Sequence, residues 1–316
     1  MADVQGSLKR PRHDGGGSSS SSNSLIQLLT QGLWDEAVKH MARYPLDPSC
    51  FPDPSPLALA CRSGATVECV QMILDAAPDG LRHLLDSRGT PLHEAVVCEN
   101  IGLDVIDLLL KTDERLGNAS TRATLLQDVD GFTPLHLLIR RRFQSHIQKF
   151  NEDKSLMKIL EMLVSSCPEA VVIPDRGEYE EPPIVYAIKA NIYAPSLGSE
   201  DDTLSRVERQ IYEMVRTMLK HAPNAASQVF SGFRGQYTAL HSAVFHGRYT
   251  STIKLLLETE KNFPSAQKSA LLTNTQSELP LHFWYVELRI LFSIIVRYMQ
   301  LAYYFRPYVL HEIVAL

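Results

Sequence analysis

Six short segments recur in order along this chain, and they constrain its fold more than any other feature. They are Ser55-Pro56-Leu57-Ala58, Thr90-Pro91-Leu92-His93, Thr133-Pro134-Leu135-His136, Pro182-Pro183-Ile184-Val185, Thr238-Ala239-Leu240-His241 and Leu279-Pro280-Leu281-His282. Four of the six keep the His, and five keep Pro in the second place. Such a series in order is the mark of a repeat architecture and not of coincidence.

A second feature follows each of the first five tetrads. A strongly apolar stretch of helical period ends in the pairs Ile73-Leu74, Leu108-Leu109, Met162-Leu163, Met218-Leu219 and Leu256-Leu257. From the second tetrad position to the last residue of the pair the spacing is 18 residues in repeats one, two and five. It is 29 in the third repeat and 36 in the fourth. Repeats three and four therefore carry insertions between their two helices. In the third, residues 140–154 are polar and charge-rich. In the fourth, residues 193–204 hold Pro195, Gly198 and Glu200-Asp201-Asp202, which reads as a loop.

The tetrad itself has a local physical reading. Thr is a good helix N-cap, because its hydroxyl accepts from an orphan backbone N–H. Pro fits the first helical position, where no N–H is needed and φ is already helical. Leu then begins the apolar stripe. Upstream, Asp86-Ser87-Arg88-Gly89 and Asp128-Val129-Asp130-Gly131 are turn formers that end in Gly. Each repeat thus predicts a turn, a short capped helix, a loop, an apolar helix and a connector. A helix pair of that size cannot bury its apolar face alone and must stack on its neighbours.

These residues resemble the ankyrin repeat family. The resemblance is carried by Gly89-Thr90-Pro91-Leu92-His93-Glu94-Ala95 with residues 105–110, and by Asp130-Gly131-Phe132-Thr133-Pro134-Leu135-His136. It is carried also by Tyr237-Thr238-Ala239-Leu240-His241-Ser242-Ala243 with Gly247 and residues 253–257. It covers residues 53–283, about five full repeats and the start of a sixth. The resemblance implies an all-α solenoid of stacked antiparallel helix pairs with projecting hairpin-like loops. It also implies that Thr and His of each tetrad tie the helix start to neighbouring loops. The chain departs from the family at Ala58 and Val185, which stand where His is usual. It departs again in its connectors, Ala77-Pro78-Asp79, Cys167-Pro168-Glu169, Ala222-Pro223-Asn224 and Phe263-Pro264-Ser265, where Pro ends the second helix.

The flanks read differently. Residues 25–48, with Leu25, Leu28, Leu29 and Trp34, read as a degenerate helical repeat that caps the stack, with Asn23 or Ser24 as its cap and Gly32 as a break. Residues 1–24 have no apolar core of a secretory leader. Their Gly/Ser tract 15–22 is expected to be disordered. Lys9, Arg10 and Arg12 in that tail suit a nuclear-import signal or are simply solvated. Residues 284–316 are apolar and helical in period, but Glu287, Arg289, Arg297 and Arg306 interrupt them. Arg297 near mid-span would cost about 3 kcal/mol in a bilayer. A packed or interfacial helix fits better than a span, and an unnatural continuation of the chain after Phe283 is a third reading.

Composition excludes little and supports the rest. The net charge of −5 gives no pull toward nucleic acid or an anionic membrane. The five cysteines, with no Cys-x-x-Cys, suit a reducing compartment. His93, His136, His241 and His282 stand one repeat apart, so stacking aligns them without converging them on a metal. No phosphate loop and no nucleophile elbow occurs, so neither catalysis nor a cofactor is expected. Arg140-Arg141-Arg142 could hold phosphate or an acidic peptide. Glu178, Glu180 and Glu181 form an acidic run at a turn tip. Both also read as solvated surface, or as mutually attracting.

The expected function is a non-enzymatic scaffold that binds protein partners through turn tips, with Arg88, Asp130, Phe132, Arg234, Gln236 and Tyr237 as candidate contacts. A nucleus-directed regulator and a membrane-attached adaptor using residues 288–305 are the alternatives.

Overall fold

A computed structural model describes residues 18–44, 55–84, 89–118, 122–143, 154–177, 180–190, 200–231, 236–246 and 250–262. The described chain is all-α, with no β-strand among the described residues. It forms two compact bodies, residues 1–123 and 124–316.

In the first body, α1 (Ser18–Gln31) packs on α2 (Trp34–Arg43) and on α3 (Pro56–Ser63). α3 then packs on α5 (Pro91–Val97), while α2 packs on α4 (Val67–Ala76) and α4 on α6 (Leu103–Arg115). In the second body, α7 (Pro134–Leu137) runs into a π-helical turn, Leu138–Phe143, and both pack on α9 (Pro183–Lys189). α9 packs on α11 (Ala239–Phe245), α8 (Lys154–Ser166) on α10 (Glu200–His221), and α10 on α12 (Thr250–Asn262). Short helices opened by the tetrads thus pack on one another, and the longer apolar helices do likewise.

The tetrads open helices as their chemistry requires. Pro occupies the first turn of α3, α5, α7 and α9. Ser55 Oγ accepts from the N–H of Ala58 at 3.2 Å, a cap worth about 1 kcal/mol. The apolar stripes then fill the core. Cys69, Val70, Ile73 and Leu74 of α4 are buried, as are Val105, Ile106, Leu109 and Leu110 of α6. In the second body, where α8 packs on α10, Ile159, Leu160, Leu163 and Val164 of α8 and Ile211, Met214, Val215 and Met218 of α10 are buried. Leu257, the last residue of the fifth pair, stays 40% exposed.

Three of the four Pro connectors are described, and each does more than stop a helix. Pro78–Arg82, Pro168–Val172 and Pro223–Ala226 are 3-10 turns. Each drives the residue three after its Pro into the core: Leu81, Val171 and Ala226 are all 0% exposed. Pro has no N–H to lose at the first position of such a turn. The connector is therefore a packing element.

Local differences from the sequence reading are informative. Glu200 to Leu204, read as loop, begin α10 instead. Asp and Glu are residue types favoured at a helix start, so the sequence 200–202 is compatible with opening this 22-residue helix. α1 begins at Ser18, inside the Gly/Ser tract, and ends where Gly32 turns left-handed at φ 72°. Leu25 and Leu29 are buried and anchor that helix. Serine costs little in a helix once an anchored stripe propagates it. Residues 1–17 and 263–316, which include the basic tail, the sixth tetrad and the apolar C-terminal segment, lie outside the described residues.

Candidate functional site

The motif histidines are structural in their geometry. The backbone N–H of Thr90 donates to His93 Nδ1 at 2.9 Å. Thr133 donates to His136 Nδ1 at 3.1 Å, and Thr238 to His241 Nδ1 at 3.2 Å. In each pair the threonine hydroxyl also lies 2.8 or 2.9 Å from Nδ1. Nδ1 accepts an N–H in every case, so the ring proton sits on Nε2. For His136 that proton has a visible destination, the carbonyl of Glu181 at 2.9 Å. All six residues are at most 2% exposed. A glycine precedes two of the tetrads because nothing larger fits. A Cβ on Gly89 would stand 2.7 Å from the His93 ring, and one on Gly131 only 2.2 Å from the Arg176 nitrogen.

The turns ahead of the tetrads are closed by aspartates. Asp128 Oδ1 accepts from the N–H groups of Asp130 and Phe132 at 3.0 and 2.8 Å. Asp175 Oδ1 accepts from Gly177 and Glu181 at 3.1 and 3.0 Å. Its other oxygen accepts a hydrogen bond from the Tyr186 hydroxyl at 2.6 Å. At the matching place in the fifth repeat stands Phe230, which pairs with Tyr237 through two backbone hydrogen bonds of 2.8 and 2.9 Å. The Asp175 latch was missed by sequence reasoning. The signal for it in the sequence is the recurrence of Asp ahead of the tetrads, in Asp86, Asp128 and Asp175.

Behind these turns Phe132, His136 and Tyr186 form an aromatic cluster with centroid separations of 5.4 to 6.1 Å. The Arg140 guanidinium covers the Phe132 ring at 4.7 Å from its centroid. Lys189 pairs with the Glu181 carboxylate. Burial, then the hydrogen bond to Asp175, pushes the Tyr186 phenol well above its ordinary range. Burial and then Glu181, Asp175 and Glu180 push up the Tyr237 phenol, whose enclosed oxygen has no hydrogen-bond partner among the described residues.

The predicted contact residues separate on this geometry. Asp130 and Gln236 present exposed side chains. Phe132 does not: it is 7% exposed, packed on His136 and Tyr186 under Arg140. Tyr237 is half-buried. Arg88 and Arg234 lie outside the described residues, as does Glu178. The acidic run does not act as a block. Glu180 is exposed at φ 45°, while Glu181 is 8% exposed and turned to Lys189.

Among the described residues no group of three or more His, Cys, Asp or Glu is arranged to hold a metal ion. No described helix is long and apolar enough to cross a membrane. The described cysteines are in no disulfide, with Cys61, Cys69 and Cys167 buried and Cys98 half-buried.

No family model matches the chain, and no curated protein matches it. Among solved structures it is similar to a chain from a complex described as a predatory endopeptidase from Bdellovibrio bacteriovorus with an immunity protein. The identity is 17% and the TM-score 0.44, over 72% of this chain and 89% of that one. A similarity of that size carries no argument about activity.

Proposed function

We propose that this chain is a divergent ankyrin-repeat solenoid that serves as a non-enzymatic scaffold for protein partners. One observation carries the reading. Thr90/His93, Thr133/His136 and Thr238/His241 spend the polar atoms of the most distinctive motif on hydrogen bonds inside the fold, at 2% exposure or less. A histidine whose Nδ1 is occupied and whose ring is enclosed has no lone pair to offer a substrate or a metal. The chemistry left for recognition lies on the turns those pairs hold, where Asp130, Glu180 and Gln236 are exposed. Rigid elements that present variable turns bind by shape and charge.

The test is capture of partners by proximity labelling with the full chain and with a variant in which Arg88, Asp130, Arg234 and Gln236 are all alanine. The expected result is loss of the main labelled proteins with an unchanged melting temperature. An identical set of labelled proteins from both chains overturns the placement of the binding face.

A further inference from the structure

The short helices supply an internal comparison. Six residues after the residue that opens each helix stand Arg62 in α3, Arg140 in the π-helical turn after α7, and Lys189 in α9. Two of these cations are neutralised within the fold. Arg62 grips Glu94 in a two-bond fork, and Lys189 holds Glu181. Arg140 makes neither a hydrogen bond nor an ion pair with a described residue; its contact is the Phe132 ring.

The reason is one residue on the next short helix. Glu94 stands three after Pro91, and Tyr186 stands three after Pro183. Where the second repeat offers a carboxylate to the preceding arginine, the fourth offers a phenol. That phenol already donates its hydrogen bond to Asp175 at 2.6 Å. The other charges nearby are also committed. Asp175 accepts from two backbone N–H groups besides Tyr186, and Glu181 is held by Lys189. Glu180 and Arg176 are exposed on the turn and of opposite sign.

Arg140 is exposed, and its stacking on a ring that is itself wedged against His136 and Tyr186 restricts the guanidinium. A guanidinium held by one face keeps its N–H edge for a planar, two-oxygen acceptor, and ordering it beforehand reduces the entropy lost on binding. From this geometry we infer that Arg140 anchors a carboxylate carried by a protein partner. It takes that carboxylate in the fork that Arg62 and Glu94 form within the chain. The inference rests on the scaffold reading and names the chemistry its partner must present.

The experiment uses the full chain and a fluorescently labelled heptapeptide rich in Glu and Asp, with its Gln/Asn counterpart and a phosphoserine version. Binding is read by anisotropy at low salt. The acidic peptide should bind at least tenfold tighter than the amide peptide. Arg140→Gln should lose that tenfold, and Arg62→Gln should keep it. Tyr186→Glu should lose it too, because it places on α9 the carboxylate that Glu94 places on α5, whereas Tyr186→Phe should keep it. Melting curves of each variant confirm folding. Equal binding of the acidic and amide peptides overturns the inference, as does an unaffected Arg140→Gln or Tyr186→Glu variant. Binding confined to the phosphoserine peptide overturns the carboxylate assignment. If labelled partners persist while the peptides fail, only Arg140 is misassigned; if partner capture also fails, the scaffold reading falls with it.

Discussion

Arg62 and Glu94 meet through two hydrogen bonds, Nε to Oε2 at 3.1 Å and Nη2 to Oε1 at 2.8 Å. The residues belong to successive short helices, α3 and α5, so the pair is a stitch between repeats. Its partners are 35% and 13% exposed, which places it between a surface pair and a buried one. Fork geometry raises its worth, and solvent on the arginine side lowers it. A double-mutant cycle of Arg62→Ala and Glu94→Ala in urea should give a coupling of about 1 kcal/mol. A coupling indistinguishable from zero would mean that the helices stack on apolar contact alone.

Asp113 is the harsher case. It is 3% exposed, with Arg82 Nε at 2.8 Å from one oxygen and the N–H of Ala123 at 2.9 Å from the other. Arg82 also reaches the carbonyls of Asp113 and Gly117, each at 2.7 Å. Asp113→Ala would leave a largely enclosed guanidinium and a buried N–H without their acceptor. The expected loss is about 3 kcal/mol in denaturant titration. The exposed i,i+4 pair Asp107–Lys111 is the control, and removing it should change stability by less than about 0.5 kcal/mol.

Much of this was readable before any coordinates, because it is local. Thr before Pro before Leu predicts a cap and a helix start, and the helices do open at Pro91 and Pro134. Equal spacing from tetrad to apolar pair predicts a second helix, and α4, α6 and α12 each hold their pair; the pair lies near the end of α4, but α6 and α12 run on past it to Arg115 and Asn262. What stayed hidden depends on partners far apart in sequence. No local pattern says that Asp175 will meet the Tyr186 hydroxyl, since the turn between them sets that distance. The register of Phe132 reads as a turn-tip contact, and its enclosure depends on His136, Tyr186 and the Arg140 guanidinium packing on its ring. The π-helical turn was equally hidden, because residues 138–143 have an ordinary helical composition.

The His136 tie should behave as a positioned hydrogen-bond bridge and not as an acid–base group. It joins the start of α7 to the turn before α9 by accepting from Thr133 and donating to Glu181. Long-range proton–nitrogen NMR correlations should show the Nε2–H tautomer. His136→Ala should cost about 2 kcal/mol, because two buried partners lose their bonds. An Nδ1–H tautomer in the native protein would contradict the bridge.

Alkaline pH should weaken the fold through its thiols. Burial raises the Cys69 thiol to about 11. Burial first, then the Cys98 thiol, raises Cys61 further still. In the unfolded chain a thiol ionises near about 8.5. A raised folded-state value means that the native state holds its proton where the unfolded state has released it. Stability is therefore full below about pH 8.5 and falls as pH rises toward 11, by up to about 1.4 kcal/mol per pH unit per thiol. Cys69→Ala should flatten that slope in urea titrations between pH 8.5 and 10. An unaltered slope would remove Cys69 from the account.

Two of the left-handed glycines, Gly131 and Gly117, offer a test of whether space or backbone conformation decides. Their φ values are 83° and 64°. A Cβ on Gly117 would meet nothing within 4 Å, so Gly117→Ala should cost only the left-handed penalty of about 1 kcal/mol. A Cβ on Gly131 would stand 2.2 Å from the backbone nitrogen of Arg176 and 2.5 Å from its side-chain carbons. The turn after the 3-10 segment Pro168–Val172 cannot yield to it without breaking the Asp175 latch, which closes on the N–H groups of Gly177 and Glu181. Gly131→Ala should therefore cost well over about 2 kcal/mol and loosen hydrogen exchange at Gly177 and Glu181. Equal costs at the two glycines would show that the turns move apart freely, and that Asp175 does not hold them in register.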